Sequence, residues 1–187
     1  MEMNLKSKLI AIFILVVFDL ISTLPPTLAS AKDSPKHSSC AAPEYSQFDF
    51  WLGDWDAFEA GSSAPDSRIQ VTRVLDGCAL RERYTGADGH RGESLSIYDS
   101  SRKVWHQSWF TNRGELLVIE GTLEAGTMVL SGADRTADGR ERRVRGIWKP
   151  EGGRVRETAV RSADGGKTWQ PWFDLVFRPH RGGTLLH

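Results

Sequence analysis

Apolar and polar residues alternate in short runs along most of the chain, from about residue 55 to residue 178. The runs are five to eleven residues long, and alternation with a period of two is typical of β-strands that bury one face. The pattern predicts ten strands, at residues 55–59, 67–75, 79–85, 93–99, 103–111, 115–123, 127–133, 140–149, 154–162 and 168–178.

The links between these strands are short and rich in turn residues, such as Asp76-Gly77, Ala125-Gly126 and Glu151-Gly152-Gly153. Short links of this kind join antiparallel neighbours, and no stretch between the strands is long enough for a crossover helix. One helical segment, at residues 43–51, is indicated by Pro43 at a first helical position and by Gly53 after its end. An antiparallel meander of this length folds into a sandwich or closes into a barrel.

The N-terminus has the features of an export signal. Lys6 and Lys8 precede an apolar run at 9–18, and Ala29-Ser30-Ala31 offers the small residues that signal peptidase accepts. We therefore predict a signal peptide at 1–31, a flexible segment at 32–42, a barrel at 43–180 and a C-terminal tail at 181–187, in a secreted or periplasmic protein. Two cysteines, Cys40 and Cys78, follow the leader and predict one disulfide in an oxidising compartment.

Composition narrows the possible partners. The chain has 24 basic and 24 acidic residues, and this neutrality argues against nucleic-acid binding and against a polybasic membrane-surface protein. Its five histidines are scattered and its cysteines are far apart, so we predict no metal site. Seven Trp and eight Phe suit an aromatic-lined β architecture.

Two local motifs favour the barrel over the sandwich. Gly53-x-Trp55 opens the first strand and Arg178 ends the last, which resembles the calycin barrels, the lipocalins and their relatives. That resemblance implies an indole under the barrel floor with the guanidinium of Arg178 stacked on it. The segment from Ser162 to Trp169 matches a single Asp-box, and we interpret it as a hairpin in which Asp164 binds the turn backbone.

A wider resemblance covers about residues 40 to 178. The opening segment that ends Phe48-Asp49-Phe50-Trp51-Leu52-Gly53-Asp54-Trp55, together with the stretches at 95–99, 105–109 and 164–169, is similar to a family of lipocalin-like bacterial secreted proteins. It implies an all-β, up-and-down antiparallel β-barrel of about ten strands with a short N-terminal helix, and it implies no substrate. Haem-binding barrels of the nitrobindin type are a distant alternative, because His180 lies late in the chain but the residues after Trp55 break their motif.

Strand alternation selects the residues that point into such a barrel. On the third strand, Leu80, Glu82 and Tyr84 share the inner face. On the fifth strand, either the Trp105 face or the His106 face points inward, and bulk favours the former. The predicted lumen residues are Glu82, Tyr84, Trp105, Gln107, Trp109, Glu157, Phe173 and Phe177, with Trp172 and Asp174 outside.

These residues support three functional hypotheses. The first is a barrel that binds a small, mostly apolar molecule, with aromatic side chains providing affinity and polar ones providing orientation. The second is an enzyme that uses Glu82 or Glu157 as a general acid or base for hydrolysis, isomerisation or cyclisation. The third is a docking module whose outer face is rich in arginine. The outer set predicted from the sequence is Arg81, Arg83, Arg143, Arg145, Arg156 and Arg161.

Overall fold

The protein forms a closed barrel of ten antiparallel strands in a computed structural model that describes residues 40–136 and 138–182. Each strand pairs with the next one along the chain, and the first strand pairs with the last, so the ring of hydrogen bonds is complete. The predicted up-and-down barrel is thereby confirmed. The strands are β1 (Gly53–Glu59), β2 (Ser67–Val74), β3 (Ala79–Gly86), β4 (Arg91–Asp99), β5 (Val104–Thr111), β6 (Leu116–Glu124), β7 (Thr127–Arg135), β8 (Glu141–Pro150), β9 (Val155–Ser162) and β10 (Gln170–Pro179).

The turn residues determine where the strands end. Ala125 and Gly126 join β6 to β7, and both have positive φ values, 48° and 80°. Two consecutive residues with positive φ are characteristic of the tight hairpin turn whose twist matches that of the flanking strands. This link therefore keeps β6 and β7 in register as antiparallel neighbours.

The segment before β1 covers one end of the barrel. The predicted short helix is present as two successive 3₁₀ turns, Pro43–Ser46 and Asp49–Trp51. A disulfide joins Cys40 to Cys78, immediately before β3, as predicted. The predicted leader, 1–31, and most of the segment 32–42 lie outside the described residues.

Aromatic residues from this segment fill the end that they cover, which we call the floor. Phe48 stacks on Trp51 with ring centroids 4.9 Å apart, and it meets Trp105 and Trp148 edge to face at 5.7 Å and 5.5 Å. Trp55 is also buried here, and its Nε1 donates to the carbonyl oxygen of Trp51 at 3.0 Å. The floor is therefore a buried cluster of indole and phenyl rings.

Glycine is required beneath one of these rings. A Cβ on Gly53 would lie 2.6 Å from the indole of Trp55, so only glycine lets the ring lie against the strand. This close contact gives the Gly-x-Trp motif a structural role in the floor.

The predicted stacking of Arg178 on Trp55 is wrong. The β1–β10 register pairs Trp55 with Pro179 and Asp56 with Arg178, so Trp55 and Arg178 point to opposite faces of the sheet. The guanidinium of Arg178 lies 4.2 Å from the ring of Phe58, on the outer face. Arg178 therefore covers an exterior aromatic ring and does not seal the floor.

Candidate functional site

Two strands place polar candidates on the inner face. On β3, Glu82 is buried and Tyr84 is half-buried. On β5, Trp105 and Gln107 are buried and Trp109 is half-buried. The side of β5 that faces inward is thus the one carrying the two tryptophans.

The other two candidate strands lie on the opposite side of the ring. On β9, Glu157 lies between the buried residues Val155 and Ala159 and is itself half-buried. On β10, Phe177 is fully buried and Phe173 is half-buried. Glu157 and Phe173 therefore point into the same interior as the candidates on β3 and β5.

Two of the predicted lumen residues belong to the floor. Trp105 is 1% exposed, packs against Phe48 and donates from Nε1 to Oε1 of Gln47 at 3.1 Å. Phe177 is 0% exposed and lies in the same core cluster. Both rings are fully engaged by protein, so we leave them out of the candidate binding wall.

The inner face above the floor is less tightly filled. Tyr84, Trp109, Leu117, Phe173 and Leu175 lie on the inward-pointing side of their strands, yet all five keep accessible surface. Tyr84 and Trp109 meet edge to face, with ring centroids 5.8 Å apart. These five residues form what we call the upper wall, an apolar and aromatic surface that lines the open end of the barrel.

Glu82 lies below the upper wall. Its side chain accepts a hydrogen bond from Oγ of Ser94 at 2.7 Å. Burial raises the pKa of Glu82 to about 7, although the hydrogen bond from Ser94 acts in the opposite direction. Near neutral pH this group therefore exists both as the acid and as the carboxylate.

Glu157 is the second interior carboxyl group. Burial raises the pKa of Glu157 well above its ordinary value, and the negative charge of Glu82 raises it further. Trp148 lies close enough to lower this pKa slightly, although its buried Nε1 has no acceptor in hydrogen-bonding geometry. Two carboxylates repel each other strongly in an interior of low dielectric constant, and this repulsion favours a state in which at least one of the two groups is protonated.

Gln107 completes the polar part of the interior. Its Nε2 donates to Oγ of Ser96 at 3.0 Å, and both side chains are buried. Ser94 and Ser96 are adjacent inward positions of β4. The serines therefore hold Glu82 and Gln107 in fixed positions beneath the upper wall.

Asp164 has a structural role in the hairpin between β9 and β10. Its carboxylate accepts hydrogen bonds from the backbone N–H groups of Lys167 and Thr168 and from the hydroxyl groups of Thr168 and Ser162. These bonds hold its pKa well below the ordinary range. The indole of Trp169 donates to the carbonyl oxygen of Gly166 at 3.1 Å and covers the turn.

A charged cluster that was not predicted from the sequence lies at the open end of the barrel. Asp134 binds Arg142 at 2.7 Å and Arg161 at 2.9 Å, and all three occupy inward positions of β7, β8 and β9. Arg161 was predicted on the outer face, which is wrong because it has the same parity as Glu157 and Ala159. The inward orientation of Arg161 could therefore have been predicted from the alternation of residues along β9.

Trp172 also departs from its predicted outward orientation. The β9–β10 register shifts between Pro171 and Phe173, and a bulge of this kind turns the extra residue out of the normal alternation. The ring of Trp172 lies 5.1 Å from that of Phe173, and the guanidinium of Arg161 lies 3.1 Å from its centroid. Trp172 thus joins the charged cluster at the open end.

His180, the residue that kept haem under consideration, lies at the end of β10. Its Nδ1 is 2.8 Å from Oδ1 of Asp56, a residue on the outward side of β1. Among residues 40–136 and 138–182, no three His, Cys, Asp or Glu side chains are grouped so that they could hold a metal ion.

Comparison with known proteins gives no match, either to a protein-family model or to a curated protein. Within the described parts of the chain, no helix has the length and apolar character needed to cross a membrane.

Proposed function

We propose that this protein is an exported, lipocalin-like barrel that binds a small, mostly apolar molecule between the upper wall and the two interior carboxyl groups. The observation that carries the proposal is the accessible surface of the upper wall. Side chains such as Trp109 and Phe173 point towards the barrel axis and remain half-buried. A ligand in this position would remove their apolar surface from water.

The upper wall supports useful affinity. A ligand that covered on the order of 150 Å² of apolar surface there would gain about 4 kcal/mol at roughly 25 cal/mol per Å². Ligand sites of this type combine an apolar wall with a few fixed polar groups. Ordering the ligand costs part of that free energy. This cost is smaller when the groups of the protein are already held in place.

The carboxyl groups favour a ligand with a hydrogen-bond donor at one end. Glu82 and Gln107 already hydrogen-bond to Ser94 and Ser96. Glu157 receives no donated hydrogen bond of normal geometry from the described residues, and it keeps accessible surface. A hydroxyl or amino group on the ligand would supply the donor that Glu157 lacks.

A matched pair of substitutions tests the proposed site. Leu117 lies on the upper wall, whereas its neighbour Val118 points outward and is 41% exposed. Leu117→Trp should cover the accessible surface of the upper wall and weaken binding of the neutral fluorescent probe N-phenyl-1-naphthylamine by tenfold or more, and Val118→Trp should leave it unchanged. Equal probe binding by the two variants would rule out the lumen as the binding site.

Native mass spectrometry identifies the ligand class. Protein purified from its own host under non-denaturing conditions should retain a small molecule, and Leu117→Trp protein should lose it. The mass of that molecule would show whether it carries the expected donor group. Loss of the same species from Val118→Trp protein would argue against a site inside the barrel.

A second candidate function is catalysis by the carboxyl groups. A buried acid with a pKa of about 7 can both give and take a proton near neutral pH, which is what a general acid or base requires. If a bound substrate is converted, Glu82→Gln should abolish turnover and Glu157→Gln should change its pH profile, while both variants still bind the substrate. Unchanged turnover in both variants would exclude this mechanism.

A further inference from the structure

An open cleft of about 340 Å³ lies on the outer face of the barrel, separate from the lumen. It is bounded by the middle of β7 and β8 and by the hairpin that joins β9 to β10. This volume is sufficient for a small organic molecule. The lining residues are Ser131, Gly132, Arg143, Val144, Arg145, Gly165, Gly166 and Trp169.

The cleft is positively charged. Arg143 and Arg145 are successive outward positions of β8, and neither forms an ion pair with another residue in the described part of the chain. Several other arginines on the outer face are paired, as in the contacts of Arg156 with Asp174 at 2.6 Å and of Arg81 with Glu93 at 2.8 Å. The lining of the cleft contains no Asp or Glu, so nothing there neutralises the two guanidinium groups.

Arg145 is held in position but lacks an acceptor. Its guanidinium carbon lies 4.5 Å from the ring centroid of Trp169, an arrangement that fixes the side chain by cation–π attraction. Its Nε is buried and has no hydrogen-bond partner. A buried donor without an acceptor is costly, so an acceptor that entered the cleft would relieve that cost.

The hairpin wall of the cleft is rigid. Asp164 and Ser162 bind the backbone of the turn, and Trp169 is fixed by its hydrogen bond to Gly166. Gly165 and Gly166 have φ values of 76° and 96° and carry no side chains that would close the cleft. The hairpin side of the cleft therefore needs little reorganisation to receive a ligand.

We propose that this cleft binds an oxyanion, a phosphate, sulfate or carboxylate group, between the guanidinium groups of Arg143 and Arg145. Arginine donates two parallel hydrogen bonds to such groups. A small shift of the Arg145 side chain would bring its buried Nε, the donor that now has no partner, within reach of the anion, and the anion would balance the charge of both guanidinium groups. This proposal is independent of ligand binding in the lumen.

The test follows the indole N–H resonance of Trp169 by NMR during titration with inorganic phosphate and with sulfate, with ionic strength held constant by sodium chloride. Trp169 contacts Arg145, so an anion at the guanidinium should shift this resonance saturably. Arg145→Gln and Arg143→Gln should each weaken binding about tenfold, the usual effect of removing a charge-assisted hydrogen bond.

Arg178→Gln is the matched control. Arg178 also lies over an aromatic ring on the outer face, and it lines no part of the cleft. Its loss should leave the affinity unchanged, as should the lumen variant Leu117→Trp. A resonance that does not move with either anion would overturn the proposal, as would equal weakening by Arg145→Gln and Arg178→Gln.

If Arg145→Gln does not fold, Arg143→Gln tests the same site. Arg143 is more exposed than Arg145, so its substitution should leave the fold intact. Undiminished affinity in folded Arg143→Gln protein would then overturn the proposal.

Discussion

Glu157 lies inside the barrel close enough to Glu82 for their charges to interact. Burial is the main cause that raises the pKa of Glu157, and the negative charge of Glu82 raises it further. The two residues come from β9 and β3, which are separated by several strands in either direction around the ring. Only closure of the sheet brings their carboxyl groups together. The chemistry of the interior is thus a product of the barrel topology.

We predict that the stability of the protein falls as pH rises from about 5 to about 8. Glu82 has a pKa of about 7 when folded, against an ordinary value of 4.5, so the folded state holds a proton that the unfolded state has released. The stabilisation is fully present below the unfolded pKa and is lost as pH rises through the folded one. The effect from Glu82 is on the order of 3 kcal/mol.

Urea unfolding at several pH values measures this slope. Glu82→Gln should flatten it and should be more stable than the wild type at about pH 8, because glutamine carries no charge and can still accept from Ser94. Identical slopes for the two proteins in this pH range would show that Glu82 titrates normally.

The disulfide should contribute substantially to stability. Cys40 and Cys78 are separated by 38 positions, and closing a loop of this length stabilises the folded state by about 4 kcal/mol in the chain-entropy treatment. Guanidinium unfolding with and without a phosphine reductant should show this loss. The double variant Cys40→Ser, Cys78→Ser should match the reduced protein and be insensitive to reductant; a reductant effect in that variant would have another source.

Gly146→Ala should destabilise the floor. A Cβ at position 146 would lie 2.6 Å from the indole of Trp148, which is only 3% exposed and in contact with Phe48. Overpacking of this kind costs about 1 to 3 kcal/mol. Gly182→Ala is the control, because nothing lies within 4 Å of a Cβ there. Equal urea midpoints for the two variants would mean that the floor accommodates the added methyl group without loss of stability.

The strands and their inward faces could be predicted because each signal is local. Alternation on β3 identifies Glu82 and Tyr84 as inward, and turn pairs such as Ala125-Gly126 mark where strands end. Both depend on residues adjacent in the sequence. The disulfide was predictable for a simpler reason, since only two cysteines are present.

Apart from Arg161, whose parity with Glu157 is a local signal, the errors concern relationships that are not local. Whether Arg178 meets Trp55 or Phe58 depends on the register of β1 against β10, and a shift of one residue exchanges the two faces. The orientation of Trp172 depends on a bulge that alternation does not reveal. The position at which Phe48 inserts decides which rings fill the floor and which line the upper wall. The alternation of residues on β5 does not specify this position.

The contact that completes the ring joins residues from opposite ends of the folded chain, as in the pairing of Asp56 with Arg178, 122 positions apart. During synthesis this last ladder must wait until β10 has emerged. Until then β1 and the newest strand both offer open backbone groups to other nascent chains. Such distant pairing also predicts slow folding, so the interval before closure is when the polypeptide is most exposed to aggregation.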